Sequence, residues 1–137
     1  ILIDKIKSIK NGSDYFTDND VKILNEELTV KNKKGHSYAY CSDTKYNEDL
    51  IDKIFGVKLL YHETTFMDDR KERAEITNHS TTIDAANIAK KAEVENLIIG
   101  HFSQRYQDEE LLLNETKTVF KKSNVAIQGM TINFSDL

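Results

Sequence analysis

The sequence predicts a layered α/β fold in a single domain, on three observations. Short β-rich runs alternate with helical patterns once the chain passes Gly35, the arrangement that produces strands with helices packed against them. Each of three such runs ends at a His or an Asp. The length of 137 residues fits one ordinary domain, since domains cluster at about 100–150 residues, so residues 1–137 read as one unit. The 39% hydrophobic and 31% charged content, with six Tyr, six Phe and no Trp, is that of a folded chain and excludes disorder along its whole length.

From the amino end, Ile1, Leu2, Ile3, Ile6 and Ile9 are apolar, but the segment is too short to separate helix from strand. Val21 to Val30 is expected to form a strand pair interrupted near Asn25-Glu26, closed by a turn at Lys33-Lys34-Gly35. Ser37 to Ser42 is a short strand, and Asn47 to Phe55 sets Leu50, Ile51, Ile54 and Phe55 on one helical face. Val57 to Tyr61 is strand-like again. Thr81 with Asp84 three residues on makes a capping box for a helix running to Ala92. Val94 to Gly100 is a further strand. Asp108 to about Lys121 is a helix with acidic residues at its start and lysines at its end, matching the macrodipole. Val125 to Phe134 is expected to close the chain as a hairpin about Gln128-Gly129.

Composition removes several functions. A net charge of −4, from 19 basic and 23 acidic residues, argues against a surface that coats phosphate backbones, so any phosphate chemistry must be local. A bound dication supplies such a local positive charge. No apolar run approaches the roughly 18 residues of a membrane helix. The start at Ile1 lacks an initiator Met and carries no signal-peptide pattern, which suggests a truncated or processed chain. The single Cys41 has no internal disulfide partner; it reads as a core residue, and the cytoplasm is the expected compartment. Phosphate-binding P-loops, GxGxxG, paired CxxC and GxSxG are all missing.

The residues just past the strands carry the chemical signal. The runs lead into Asp43-Thr44, into His62-Glu63-Thr64-Thr65 and into His101-Phe102-Ser103, while His79 stands before the helix at Thr81. Ligands sit at the carboxyl ends of strands in such folds, and His with Asp suits zinc or acid–base work. Taken singly, Asp43-Thr44 also fits an Asx turn, His62 a satisfied strand-end histidine and His79 an exposed loop residue. His101 stands apart because Gly100 permits close backbone approach. Arg105-Tyr106 offers a guanidinium fork and a stacking face, or equally a surface Arg beside a packed Tyr. Lys5, Lys7 and Lys10 read as a solvated face and His36 as a solvated neighbour of the turn.

Read together, Tyr40-Cys41-Ser42-Asp43-Thr44-Lys45, His62-Glu63-Thr64-Thr65-Phe66, Asn78-His79-Ser80-Thr81 and His101-Phe102-Ser103-Gln104-Arg105-Tyr106 resemble the C-terminal half of ribonuclease Z, the tRNA 3′-processing endonuclease of the metallo-β-lactamase superfamily. The likeness runs from Asp4-Lys5-Ile6-Lys7, similar to the family's Gly-Lys-Leu-Lys, to Gly129-Met130. It implies the C-terminal half of an αβ/βα sandwich. It also implies that Asp43 bridges two zinc ions and that His101 is a terminal ligand on one of them. His79 would act near the scissile phosphate, oriented by Glu63, with Arg105 as a phosphate or structural contact and His62 as support.

Two metals about 3.5–4 Å apart activate a bridging water and clamp a phosphodiester. The implied substrate is precursor tRNA, cut to leave a 3′-hydroxyl, by a homodimer in the complete form; manganese is an alternative to zinc. The HxHxDH cluster and the tRNA-gripping arm of the family do not occur in these residues. The chain therefore reads as half a site, expected to hold zinc weakly, to cleave nothing alone and to expose an apolar face. Smaller departures are Cys41-Ser42 for Ser-Gly, Lys45-Tyr46 for Arg-Pro, Thr64 for Ala and Asn78 for Gly, the last requiring Asn78 to adopt a backbone that Asn tolerates. Another phosphodiesterase or hydrolase of the superfamily, or a non-catalytic scaffold fragment, are the alternative readings.

Overall fold

Short apolar runs, continuous in Leu59-Leu60 and Leu97-Ile98-Ile99, build a parallel sheet whose strands stand side by side in sequence order. The computed structural model describes residues 3–30 and 35–137; Ile1, Leu2 and the Lys33-Lys34 part of the expected turn lie outside the described residues. The chain divides into two compact units, Ile1–Gly35 and His36–Leu137.

In the first unit the opening segment is helical, α1 (Ile3–Lys10), with Ile9 buried. The expected strand pair after Val21 does not form. Instead β1 (Tyr15–Phe16) pairs antiparallel with β2 (Lys22–Ile23), and α2 (Asn25–Leu28) is a single helical turn. The Asn25 side chain explains this: its Nδ2 donates to the carbonyls of Ile9 at 2.6 Å and Ser13 at 2.9 Å, while its backbone N–H donates to Asp14 Oδ1 at 2.8 Å. Those bonds hold the chain in a turn where a strand would leave them unmade.

The second unit is built on β3 (Tyr38–Cys41), β4 (Leu59–Glu63), β5 (Asn96–Gly100) and β6 (Ser123–Val125), all parallel and in that spatial order. Alternate residues Cys41, Leu60, Leu97 and Ile99 face a core closed by Ile88 and Ala89 of α4 (Thr82–Lys91), by Ala92 just after it, and by Leu112 of α5 (Glu109–Lys117). The small alanines let α4 lie close on the sheet. Its capping box forms as the sequence indicates: Thr81 Oγ1 accepts from the Asp84 N–H at 3.1 Å and Asp84 Oδ2 from the Thr81 N–H at 3.0 Å. A short helix, α3 (Lys71–Thr77), precedes it and had no clear periodic signal in the sequence.

Three elements differ from expectation. Asn47 to Phe55 forms one 3₁₀ turn, Glu48–Leu50, and then further turns ending at Gly56 with φ 67°; these turns suffice to bury Ile54. The strand expected from Val57 to Tyr61 starts and ends two residues later, which puts His62 and Glu63 on the strand itself. The terminal hairpin is absent among the described residues. The chain does turn at Gly129, with Met130 N–H on the Ile127 carbonyl at 2.9 Å, but Ile127, Met130 and Ile132 then line a groove with Tyr38, Leu59, Tyr61 and Ile98 on the sheet face opposite α4 and α5. Lys58 Nζ donates to the Phe134 carbonyl at 2.6 Å, so the segment crosses the strands and cannot pair along them.

Candidate active site

Because the strands are parallel and in register, Cys41 against His62 and Glu63 against Gly100, their carboxyl ends share one edge. The residues just beyond are bent sharply back. Asp43 and His101 both have left-handed backbones, φ 50° and 61°, a conformation uncommon for residues with a Cβ, though Asp and His adopt it more readily than most; such residues cluster at functional sites. His79 arrives from the other direction. Asn78 ends α3 with φ 56° and ψ 40°, its N–H on the Glu75 carbonyl at 3.3 Å and the His79 N–H on the Ala74 carbonyl at 2.9 Å. This is a Schellman stop with Asn in the glycine position, and it sets His79 immediately after the helix.

The result gathers three of the residues singled out in the sequence. Ligand atoms of Asp43, His79 and His101 all lie within 4.8 Å of one another. His101 Nε2 is 3.4 Å from Asp43 Oδ1, and the two imidazole rings are 5.2 Å apart at their centres. Two imidazoles and a carboxylate are donors suited to a borderline divalent cation.

Glu63 organises this cluster from below. It is fully buried and accepts hydrogen bonds on both carboxylate oxygens. Oε1 takes the His79 Nδ1–H at 2.8 Å and the Thr44 N–H at 3.1 Å; Oε2 takes the Thr65 N–H at 3.1 Å and the Thr65 hydroxyl at 2.7 Å. An ionised carboxylate only accepts, so His79 carries its proton on Nδ1 and presents Nε2 to the cluster. The loops are sewn together further by Ser80 Oγ donating to the Thr44 carbonyl at 2.6 Å and by the Ser103 N–H on the Thr65 carbonyl at 3.1 Å. Thr65 and Ser80 were not singled out in the sequence; lone hydroxyl residues carry no spacing signal.

The other candidates lie outside the cluster. Arg105 is exposed, with its Nε on Ser103 Oγ at 3.3 Å and its guanidinium 5.5 Å from the Phe66 ring centre, which leaves its other donors facing solvent. Tyr106 turns inward, and its hydroxyl accepts from the Met67 N–H at 2.9 Å. His62 is buried beneath the edge with Nδ1 on the Glu63 carbonyl at 2.8 Å, and burial pushes its pKa down. His36 is exposed and stacks on Phe134. Cys41 is in the core, where burial pushes its thiol pKa up.

No family model matches the chain, but curated proteins do. The Ribonuclease Z of Bacteroides thetaiotaomicron is 42% identical over 132 residues, which is 96% of this chain and 42% of that protein. That of Cytophaga hutchinsonii is 46% identical over 133 residues, again 96% of this chain and 42% of the relative.

The chain matches ribonuclease Z along nearly its whole length.

It spans about two-fifths of the ribonuclease Z relatives it matches. Among solved structures, the metallo-β-lactamase fold protein YhfI from Bacillus subtilis superposes with a TM-score of 0.64 at 28% identity, over 69% of this chain and 39% of that one. A long form RNase Z from yeast superposes with a TM-score of 0.59 at 26% identity, over 72% of this chain and 13% of that one. The chain thus has part of the metallo-β-lactamase fold, as the ribonuclease Z resemblance implied.

Proposed function

We propose that this chain carries the carboxyl-terminal share of a ribonuclease Z centre, which in the complete protein removes the 3′ trailer of precursor tRNA and leaves a 3′-hydroxyl. The observation that supports this most is the Glu63-held His79 beside the Asp43 and His101 pair, in a chain matching ribonuclease Z over 96% of its length. Asp43 and His101 would hold zinc, with manganese as the alternative, together with ligands from an HxHxDH segment that these residues lack. When bound, the metals supply a water activated at neutral pH and a clamp on the phosphodiester oxygens. The chain's own residues do the rest. His79, held through Nδ1–H by Glu63, takes up a second proton on Nε2 as imidazolium and gives that proton to the leaving oxygen, returning to the neutral Nδ1–H form, and Arg105 offers its exposed guanidinium to an adjoining phosphate. The complete protein is expected to act as a cytoplasmic homodimer, with residues 1–137 belonging to one metallo-β-lactamase domain.

The test is cleavage of a 3′-extended precursor tRNA, with zinc or manganese, by the 137-residue chain and by a version joined to an HxHxDH-bearing ribonuclease Z segment. Only the joined protein should cut. His79→Ala should slow it by about 10²–10⁴-fold, the usual contribution of a positioned acid or base, and Asp43→Ala should abolish metal-dependent activity. Cleavage by the 137-residue chain alone would contradict the division of ligands, and an inactive joined protein would count against the tRNA reading.

A further inference from the structure

The hydroxyl of Thr65 sits between two groups that determine the cluster's chemistry. It lies 2.7 Å from Glu63 Oε2 and 2.9 Å from His101 Nδ1, and Thr65 is itself buried at 8% exposure. A hydroxyl has one proton to give. Glu63, already receiving the N–H groups of Thr44 and Thr65 and the Nδ1–H of His79, has only acceptors to offer. The Thr65 proton therefore goes to the carboxylate, and the oxygen's lone pair is left facing His101 Nδ1. That nitrogen must then donate, so in the neutral imidazole it bears the ring proton and Nε2 keeps its lone pair. Nε2 is the nitrogen turned toward Asp43, at 3.4 Å.

We propose that Thr65 is a positioning residue: its hydroxyl relays the buried Glu63 charge to His101, fixing the Nδ1–H tautomer and ring orientation that leave Nε2 free to bind a metal ion. One carboxylate then orients both imidazoles of the cluster, His79 directly and His101 through Thr65. Thr44 ties Asp43 to the same carboxylate through the backbone. Hydrogen bonds to the far nitrogen of a ligating histidine set its tautomer and raise its basicity, and their loss typically lowers metal affinity about 10–100-fold. The inference rests on the metal-centre reading above for its purpose, though not for its geometry.

The test separates the two. Long-range ¹H–¹⁵N correlation spectra of the metal-free 137-residue chain should show His101 as the Nδ1–H tautomer. Thr65→Val, which keeps the shape and removes the hydroxyl, should shift His101 to the other tautomer or to averaging, and Thr65→Ser should restore the native pattern. Titration with Zn²⁺ alone should then give an affinity about 10-fold or more weaker for Thr65→Val and within about two-fold of the parent for Thr65→Ser. An Nε2–H tautomer in the parent, or a Thr65→Val variant with an unchanged His101 spectrum, overturns the proposal. The predicted spectra with no zinc binding by any variant would support the relay and count against the metal reading alone.

Discussion

Gly100 sits where a side chain has no room. A Cβ there would lie 2.6 Å from the Tyr61 hydroxyl oxygen and 2.9 Å from its ring, and Tyr61 is itself held by stacking on Tyr40 at 4.6 Å. Gly100→Ala should destabilise the chain by about 1–3 kcal/mol, the range for overpacking, as measured by urea unfolding. In a Tyr61→Ala background the same change should cost under about 1 kcal/mol; an equal cost in both backgrounds would show that the strain lies elsewhere. Asn78 gives a second test at this scale. Its left-handed backbone costs a residue with a Cβ about 1–2 kcal/mol, so Asn78→Gly should be neutral or stabilising, and Asn78→Val should lower the melting temperature and displace His79. The resemblance flagged Asn78 by its departure from glycine, while Asp43 and His101 were legible as donors after strands and His79 as one before a helix. Thr65 was not, because its role depends on two groups brought together only in the folded chain.

Elements were legible where local chemistry and tertiary demand agreed. The capping box at Thr81 and the helix it starts are visible in sequence because the bonds are internal to the segment. Thr81→Ala should cost about 1–2 kcal/mol by removing that cap, with a further loss because Thr81 Oγ1 also reaches Asp68 Oδ1 at 3.3 Å; a change under about 0.3 kcal/mol in thermal unfolding would contradict the cap's importance. The segment from Asn47 to Phe55 misled because helical spacing of apolar residues is also satisfied by successive turns. The last segment misled because its alternation serves a crossing of the sheet face, with contacts from Tyr38 to Ile98 that no local pattern announces. Helix α5 is shorter than its charge pattern suggested, ending at Lys117. Its Glu115 bonds outward instead, accepting from the Asp68 N–H at 3.0 Å and from the Thr82 hydroxyl, which locks the start of α4 to α5.

For the molecule as a whole, acid sensitivity should trace to His62. It is buried with Nε2 unpartnered, and burial depresses its pKa below the ordinary 6.5, against opposing pulls from the Glu63 carbonyl and the Glu63 and Asp84 charges. The unfolded chain therefore binds a proton more readily than the folded one, so stability is full above about pH 6.5 and falls as the pH drops below it. Melting temperatures measured from pH 7.5 to 5 should decline less steeply in His62→Gln than in the parent; parallel curves would assign the decline to other groups. The sheet face opposite α4 and α5 leaves Tyr38 at 54% and Tyr40 at 63% exposed, and Ile127 of the segment crossing it at 66%; so apolar a surface favours association. Sedimentation velocity on the 137-residue chain should show a concentration-dependent shift, and a monomer at all concentrations would refute this. Among the described residues no helix is long and apolar enough to cross a membrane.

The order of the strands also bears on time. Because β3, β4, β5 and β6 lie side by side as they occur along the chain, each joins a ledge already made by its predecessor, and no strand has to be inserted between two others. During synthesis from the amino end, Asp43 and then Glu63 can take their places while His101 is still to be added. Ribosome-stalled chains should therefore protect β3 and β4 from protease in an early stage, and the Asp43, His79 and His101 cluster should come together abruptly, as a late event in assembly, once β5 has docked.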